Sequence, residues 1–103
     1  MIKEGFENMN IDFIHKCLSQ NSYWSKGIPF ETVKKAWENS FCTGYFDENN
    51  NQVGFARIVT DYTTFAYLCD VFVDDSARGK GYGKELMEYI MNKCWVKNLR
   101  RFM

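Results

Sequence analysis

Arg78-Gly79-Lys80-Gly81-Tyr82-Gly83-Lys84 carries a glycine at every second position, with basic side chains interleaved. Inside a helix each glycine costs about 0.8–1 kcal/mol relative to alanine. A plain turn needs one glycine and no basic residues. Three of them, set where an apolar strand hands over to an amphipathic segment, suit a backbone that must come close to an anion. Without a Cβ in the way, the unpaired N–H groups of a first helical turn can point at phosphate oxygens. The helix dipole adds about 0.3–1 kcal/mol. Arg78, Lys80 and Lys84 supply positive charge at that point. The spacing excludes the common nucleotide loops. A Walker A loop requires G-x-x-x-x-G-K-[ST], but Gly79 and Gly83 have three residues between them and Glu85 follows Lys84. A dinucleotide fingerprint requires G-x-G-x-x-G inside a parallel β-α-β unit, and here the pattern is G-x-G-x-G.

Other residues with chemical capacity are few. Asp70 interrupts an apolar stretch, Leu68 to Val73. A carboxylate placed there can transfer a proton or simply brace the strand by hydrogen bonding. His15, the single histidine, falls on a helical segment and reads as a surface or packing residue. Tyr23 and Trp24 occupy a loop, where they can meet a ligand or cap the core. Cys17, Cys42, Cys69 and Cys94 contain no C-x-x-C pair, which with one histidine excludes zinc and redox-motif readings. Cys69 reads as a buried strand residue.

The elements that must position these groups follow from periodicity. Ile11, Ile14 and Leu18, with Phe13 and Cys17 beside them, recur at helical spacing, with Asn10 as the cap. Asn21 to Pro29 is a loop. A second helix runs from Pro29, through Val33, Ala36 and Trp37, to Asn39-Ser40. A short strand is expected near Ile2–Phe6. From Phe41 the period becomes two, giving strands over Phe41–Phe46, Val53–Val59 and Phe65–Val73. Turn chemistry separates them at Asp47–Asn51 and Thr60–Thr63. In the third of these strands, alternation places Phe65, Tyr67, Cys69, Val71 and Val73 on one face and Ala66, Leu68, Asp70 and Phe72 on the other. A helix continues to Trp95, with Tyr82, Leu86, Ile90 and Cys94 in one row. Leu99 to Met103 opens another strand. The fold class is therefore α+β, an antiparallel meander with helices.

With 103 residues, 46% of them apolar, the chain is one small domain with material for a core. Thirteen basic and thirteen acidic side chains cancel, so nothing global attracts nucleic acid or an anionic membrane. No stretch has the length of a signal peptide or a bilayer span, and a cytoplasmic protein with reduced thiols is expected.

Arg78-Gly79-Lys80-Gly81-Tyr82-Gly83 matches the [RQ]-x-x-G-x-[GA] motif of the GNAT (GCN5-related) N-acetyltransferases. The strand ending Leu68-Cys69-Asp70-Val71-Phe72-Val73 and the acidic turn after it resemble the same family, as does the order of strand, two helices and further strands. The resemblance implies acetyl-CoA as co-substrate, with no metal, and an amine as acetyl acceptor. By matching positions, the backbone of Val71, Phe72 and Val73 would hold pantetheine. The segment Arg78, Gly79, Lys80, Gly81, Tyr82, Gly83, Lys84 would hold the pyrophosphate. An N–H near Phe72 would polarise the thioester carbonyl, and Asp70 would be the base. Tyr23 and Trp24 would sit on the acceptor side. Family domains continue with a fifth strand, a fourth helix and a closing hairpin, which the resemblance does not reach here. An acyl-CoA-binding or dimeric module with little catalysis is the alternative, with a second copy covering the gap.

Overall fold

The period-two stretches become neighbouring strands of one sheet in the computed structural model, which describes residues 1–21 and 26–103. β1 (Ile2–Glu4), β2 (Phe41–Phe46), β3 (Gln52–Thr60), β4 (Phe65–Val73) and β5 (Arg101–Phe102) lie in that spatial order. The first four are antiparallel, and β5 runs parallel to β4. The α+β meander expected from the sequence is thus the observed fold. β1 stops at Glu4 rather than Phe6, because Gly5 turns with φ 99° into a single helical turn over Phe6–Asn8. Asx chemistry closes both hairpins. Asp47 Oδ1 accepts the N–H groups of Asn49 and Asn51 at 2.9 Å each. Asp61 Oδ1 accepts those of Thr63 and Thr64 at 2.9 and 2.8 Å.

Helices cover both faces. α1 (Ile11–Asn21) and α2 (Phe30–Glu38) pack on one, α3 (Tyr82–Met91) and α4 (Cys94–Lys97) on the other. Asn10 caps α1, its Oδ1 accepting the Phe13 N–H at 3.2 Å. The first core joins Ile14, Leu18, Val33 and Trp37 to Phe55 of β3. Trp37 meets Phe55 edge-on at 5.2 Å, and Phe72 stacks on the same ring at 5.4 Å. The second core gathers Phe41, Ala56, Ile58 and Ala66 under Ile90 and Val96.

Two further expectations are corrected. The last helix is not continuous to Trp95. α3 ends at Met91, Lys93 is extended at ψ 140°, and α4 starts afresh at Cys94. The break lets Trp95 reach Phe41 and Tyr62, at 5.1 and 4.9 Å between ring centroids. Cys94 therefore leaves the Tyr82–Leu86–Ile90 row and is exposed. The second correction concerns β4. Its register against β3 is Arg57↔Asp70 but Ile58↔Leu68, so Cys69 is an extra residue, a β-bulge. The bulge reverses the alternation. Ala66 and Leu68 face α3 and α4, whereas Phe72 packs toward α1 and α2. Cys69 is half-buried at this kink rather than buried.

Candidate functional site

The glycine-rich segment forms an open turn leading into α3. Gly79 has φ 83°, and Gly81, the residue preceding α3, has φ 80° and ψ 14°, in the left-handed region. L side chains seldom adopt that conformation. A Cβ built on either glycine meets nothing within 4 Å, so the space in front of this turn is clear. No side chain caps α3, and its first internal hydrogen bond runs from the Glu85 N–H to the Gly81 carbonyl, 3.0 Å. The amides of Tyr82, Gly83 and Lys84 precede that bond and have no acceptor within the helix. Gly83 has ordinary helical backbone, and its Cα lies against β4, where a Cβ would sit 3.5 Å from Val73.

Neighbours fix this turn in place. Tyr82 stacks on Tyr45 of β2, with centroids 4.0 Å apart and rings 16° from parallel. Desolvation first, then the Glu85 carboxylate, pushes the Tyr45 hydroxyl up. Arg78 donates from Nε to the Val73 carbonyl at 3.0 Å, pairs with Asp75 at 2.9 Å and lies over the Phe72 ring. Asp74 accepts from the Ser76 hydroxyl and amide, which hold its carboxyl below the usual range. Lys80 and Lys84 are exposed, and Lys84 lies 3.8 Å from Glu88.

The end of β4 approaches this cradle. Asp74 donates its N–H to the Val53 carbonyl at 2.7 Å, so Asp74 points its polar backbone groups toward β3. Alternation then sends those of Phe72 toward β3, and those of Val71 and Val73 toward the opposite edge. The Arg78 bond to the Val73 carbonyl agrees with this direction. On that edge β5 pairs as far as Leu68, whose N–H donates to the Met103 carbonyl at 2.9 Å. Among the expected strand residues, Val71 and Val73 thus offer amides at the edge. The Phe72 N–H, by contrast, points toward β3.

Asp70 belongs to a different surface, the α1–α2 face. Its Oδ2 accepts from Arg57 Nε at 2.8 Å, and Arg57 Nη1 donates to Ser40 Oγ at 3.1 Å. The pair forms the floor of a cleft of about 490 Å³. Leu18, Ile28, Val33 and Trp37 make its apolar wall, with Tyr67 and Cys69 on the β4 side. Arg57 is the partner that sequence reasoning missed. The signal was a lone cation within the apolar run Val53–Val59. Tyr23 and Trp24 lie outside the described residues. His15 Nε2 contacts the Ile28 carbonyl at 2.9 Å and its ring meets Phe30 edge-on, a packing histidine. Among the described residues, no three His, Cys, Asp or Glu side chains gather as a metal site, and no helix is long and apolar enough to cross a membrane.

The Acetyltransferase (GNAT) family model matches residues 11–103. The chain belongs to the GNAT acetyltransferase family. A GNAT-family protein of Xanthomonas campestris pv. campestris superposes with a TM-score of 0.92 at 42% identity, over 100% of this chain and 73% of that one. An uncharacterized N-acetyltransferase of Prochlorococcus marinus is 34% identical over 82% of this chain. The chain spans 64%, 48% and 41% of the length of three curated relatives it matches. An aminoglycoside 6'-N-acetyltransferase in complex with coenzyme A has the same fold, at a TM-score of 0.72 and 21% identity, over 87% of this chain and 52% of that one. In this GNAT chain the motif segment meets the end of β4 through the Arg78 bond to the Val73 carbonyl and the close approach of Gly83 to the Val73 side chain. Asp70 and its cleft lie on the α1–α2 side of the same strand.

Proposed function

We propose that this chain binds acetyl-CoA and transfers its acetyl group to an amine. The observation that carries this reading is the cradle itself: two left-handed glycines with clear space before them, and three helix-end amides without internal acceptors. A doubly charged pyrophosphate suits such a site, since it accepts several N–H bonds and gains from the helix dipole. Lys80 and Lys84 add positive charge at its rim. The edge amides of Val71 and Val73 suit the amide-rich pantetheine arm, which pairs with a strand edge as another strand would. Bound this way, acetyl-CoA supplies the thioester.

The residues of the chain then divide the work. An edge N–H beside Phe72, from Val71 or Val73, donates to the carbonyl oxygen as negative charge builds there. Asp70, one residue before Val71, is placed for the amine on the opposite face. Arg57 holds its Oδ2, and Asp70 lines the cleft from which an amine would reach its other oxygen. The amine nitrogen bonds to the acetyl carbon and the carbon–sulfur bond breaks. The substrate arrives as an ammonium and first loses one proton to solvent by way of Asp70; the proton that the nitrogen sheds after attack ends on the departing sulfur.

Calorimetric titration of the chain with acetyl-CoA tests the reading, followed by assay of thiol release with a panel of amines. Saturable binding and amine-dependent release are expected. No binding at millimolar acetyl-CoA would remove the proposal. Binding without release for any amine would leave a coenzyme-binding module and remove the transferase.

A further inference from the structure

We infer that the acceptor is an apolar α-amino acid, recognised by the Arg57–Asp70 pair through its head and by the α1–α2 wall through its side chain. The inference rests on the transferase reading above and names the acceptor class for it. Arg57 and Asp70 are directly opposed across β3 and β4, and their side chains are only 19% and 9% exposed. Burying such a pair is costly unless the remaining donors and lone pairs find partners. Arg57 has five N–H donors. One goes to Asp70 and one to Ser40, and among the described residues no acceptor reaches the others. No donor among them reaches Asp70 Oδ1 either. Both groups line the cleft. The cleft floor thus offers one cation and one anion side by side, with hydrogen-bonding capacity left on each.

A ligand that completes both must carry an ammonium and a carboxylate a few ångströms apart, which is the head of an α-amino acid. The ammonium belongs at Asp70, next to the Val71 edge where the acetyl group would lie. The carboxylate belongs at Arg57, farther from that edge. The rest of the wall is Leu18, Ile28, Val33 and Trp37, which suits an aliphatic or aromatic side chain. A volume of about 490 Å³ is ample for one such molecule. Polyamines and aminoglycosides fit poorly, because they carry several cations. Asp70 is the single carboxylate among the described lining residues, and Arg57 already balances it.

The test uses the whole chain and reads binding by calorimetry, with L-phenylalanine and L-leucine against 2-phenylethylamine, isoamylamine, spermidine and kanamycin. The amino acids are expected to bind at least tenfold more tightly than their decarboxylated counterparts, with spermidine and kanamycin no better than the latter. In Arg57→Met that ratio should fall to near one. Should the single variant not fold, the double variant Arg57→Met/Asp70→Leu removes both charges together and should lose amino-acid binding in a folded protein. A wild-type ratio near one, a preference for spermidine or kanamycin, or no amino-acid binding overturns the inference. A parallel titration with acetyl-CoA separates the two failures. Acetyl-CoA binding without amino-acid binding removes the acceptor assignment alone. Amino-acid binding without acetyl-CoA binding keeps the cleft assignment and removes the transfer.

Discussion

Replacing Gly81 separates two reasons for a glycine there, backbone conformation and clear space for a ligand. Gly81 sits at φ 80° and ψ 14°. An alanine held in that region is strained by about 1–2 kcal/mol. Its Cβ would touch nothing, since no atom lies within 4 Å, so strain is the whole of the expected stability loss. For a domain of this size about 1 kcal/mol lowers Tm by about 4–8 °C, which scanning calorimetry resolves easily. On the proposed reading, the same Cβ would take space that a phosphate oxygen needs. Losing one charge-assisted hydrogen bond there costs about 1.5–3 kcal/mol, or about ten- to hundredfold in acetyl-CoA affinity. Gly81→Asn supplies the control, because asparagine tolerates the left-handed region while carrying a Cβ. Gly81→Asn should recover much of the Tm that Gly81→Ala loses and still bind acetyl-CoA at least tenfold more weakly than wild type by titration. If the asparagine variant binds like wild type, the glycine serves the backbone alone and the phosphate cradle is wrong.

Three further outcomes follow from the same geometry. Burial pushes the Cys17 thiol up to about 11 and the Cys42 thiol up to about 12, whereas Cys94 is exposed. Mass spectrometry after native alkylation should find Cys94 modified first, and Cys17 and Cys42 only once the chain is unfolded. Hydrogen bonds from the Thr64 hydroxyl and the backbone of Thr63, Thr64 and Phe65 hold Asp61 well below its ordinary value of 3.8. A carboxyl depressed on folding stabilises above its unfolded pKa and stops doing so as pH falls through the folded one. The Tm deficit of Asp61→Ala should therefore be greatest above about pH 5 and shrink toward about pH 2. Trp37 is 1% exposed at the centre of the α1–α2 core, and Trp37→Ala should cost about 3–5 kcal/mol in urea unfolding; a loss under about 1 kcal/mol would show that this core contributes little.

The geometry of the glycine-rich turn was legible in the sequence because its signals are local. Positive φ at Gly79 and Gly81 is a property of the residue type, and alternating glycines at a strand-to-helix junction announce it. The helix–strand order and the Asx turns at Asp47 and Asp61 are likewise short-range chemistry. Tyr45 could not be read as the partner of Tyr82, because the two are brought together only when α3 lies back on the sheet. The break between α3 and α4 was hidden because residues 92–95 carry no proline or glycine, and the stop depends on where Trp95 must pack.

The sequence by itself determined that a glycine-rich, basic segment begins at Arg78 and that an apolar strand leads into it. The tertiary structure decided which face Asp70 takes and that Arg57 is its partner. Carrying the turn-end register Ile58↔Leu68 one step along β4 would set Arg57 opposite Cys69. One extra residue in the strand sets it opposite Asp70 instead and turns the carboxylate to the α1–α2 face. Periodicity cannot show a bulge, because a bulge is defined by a register with another strand, and that register exists only once both strands are paired.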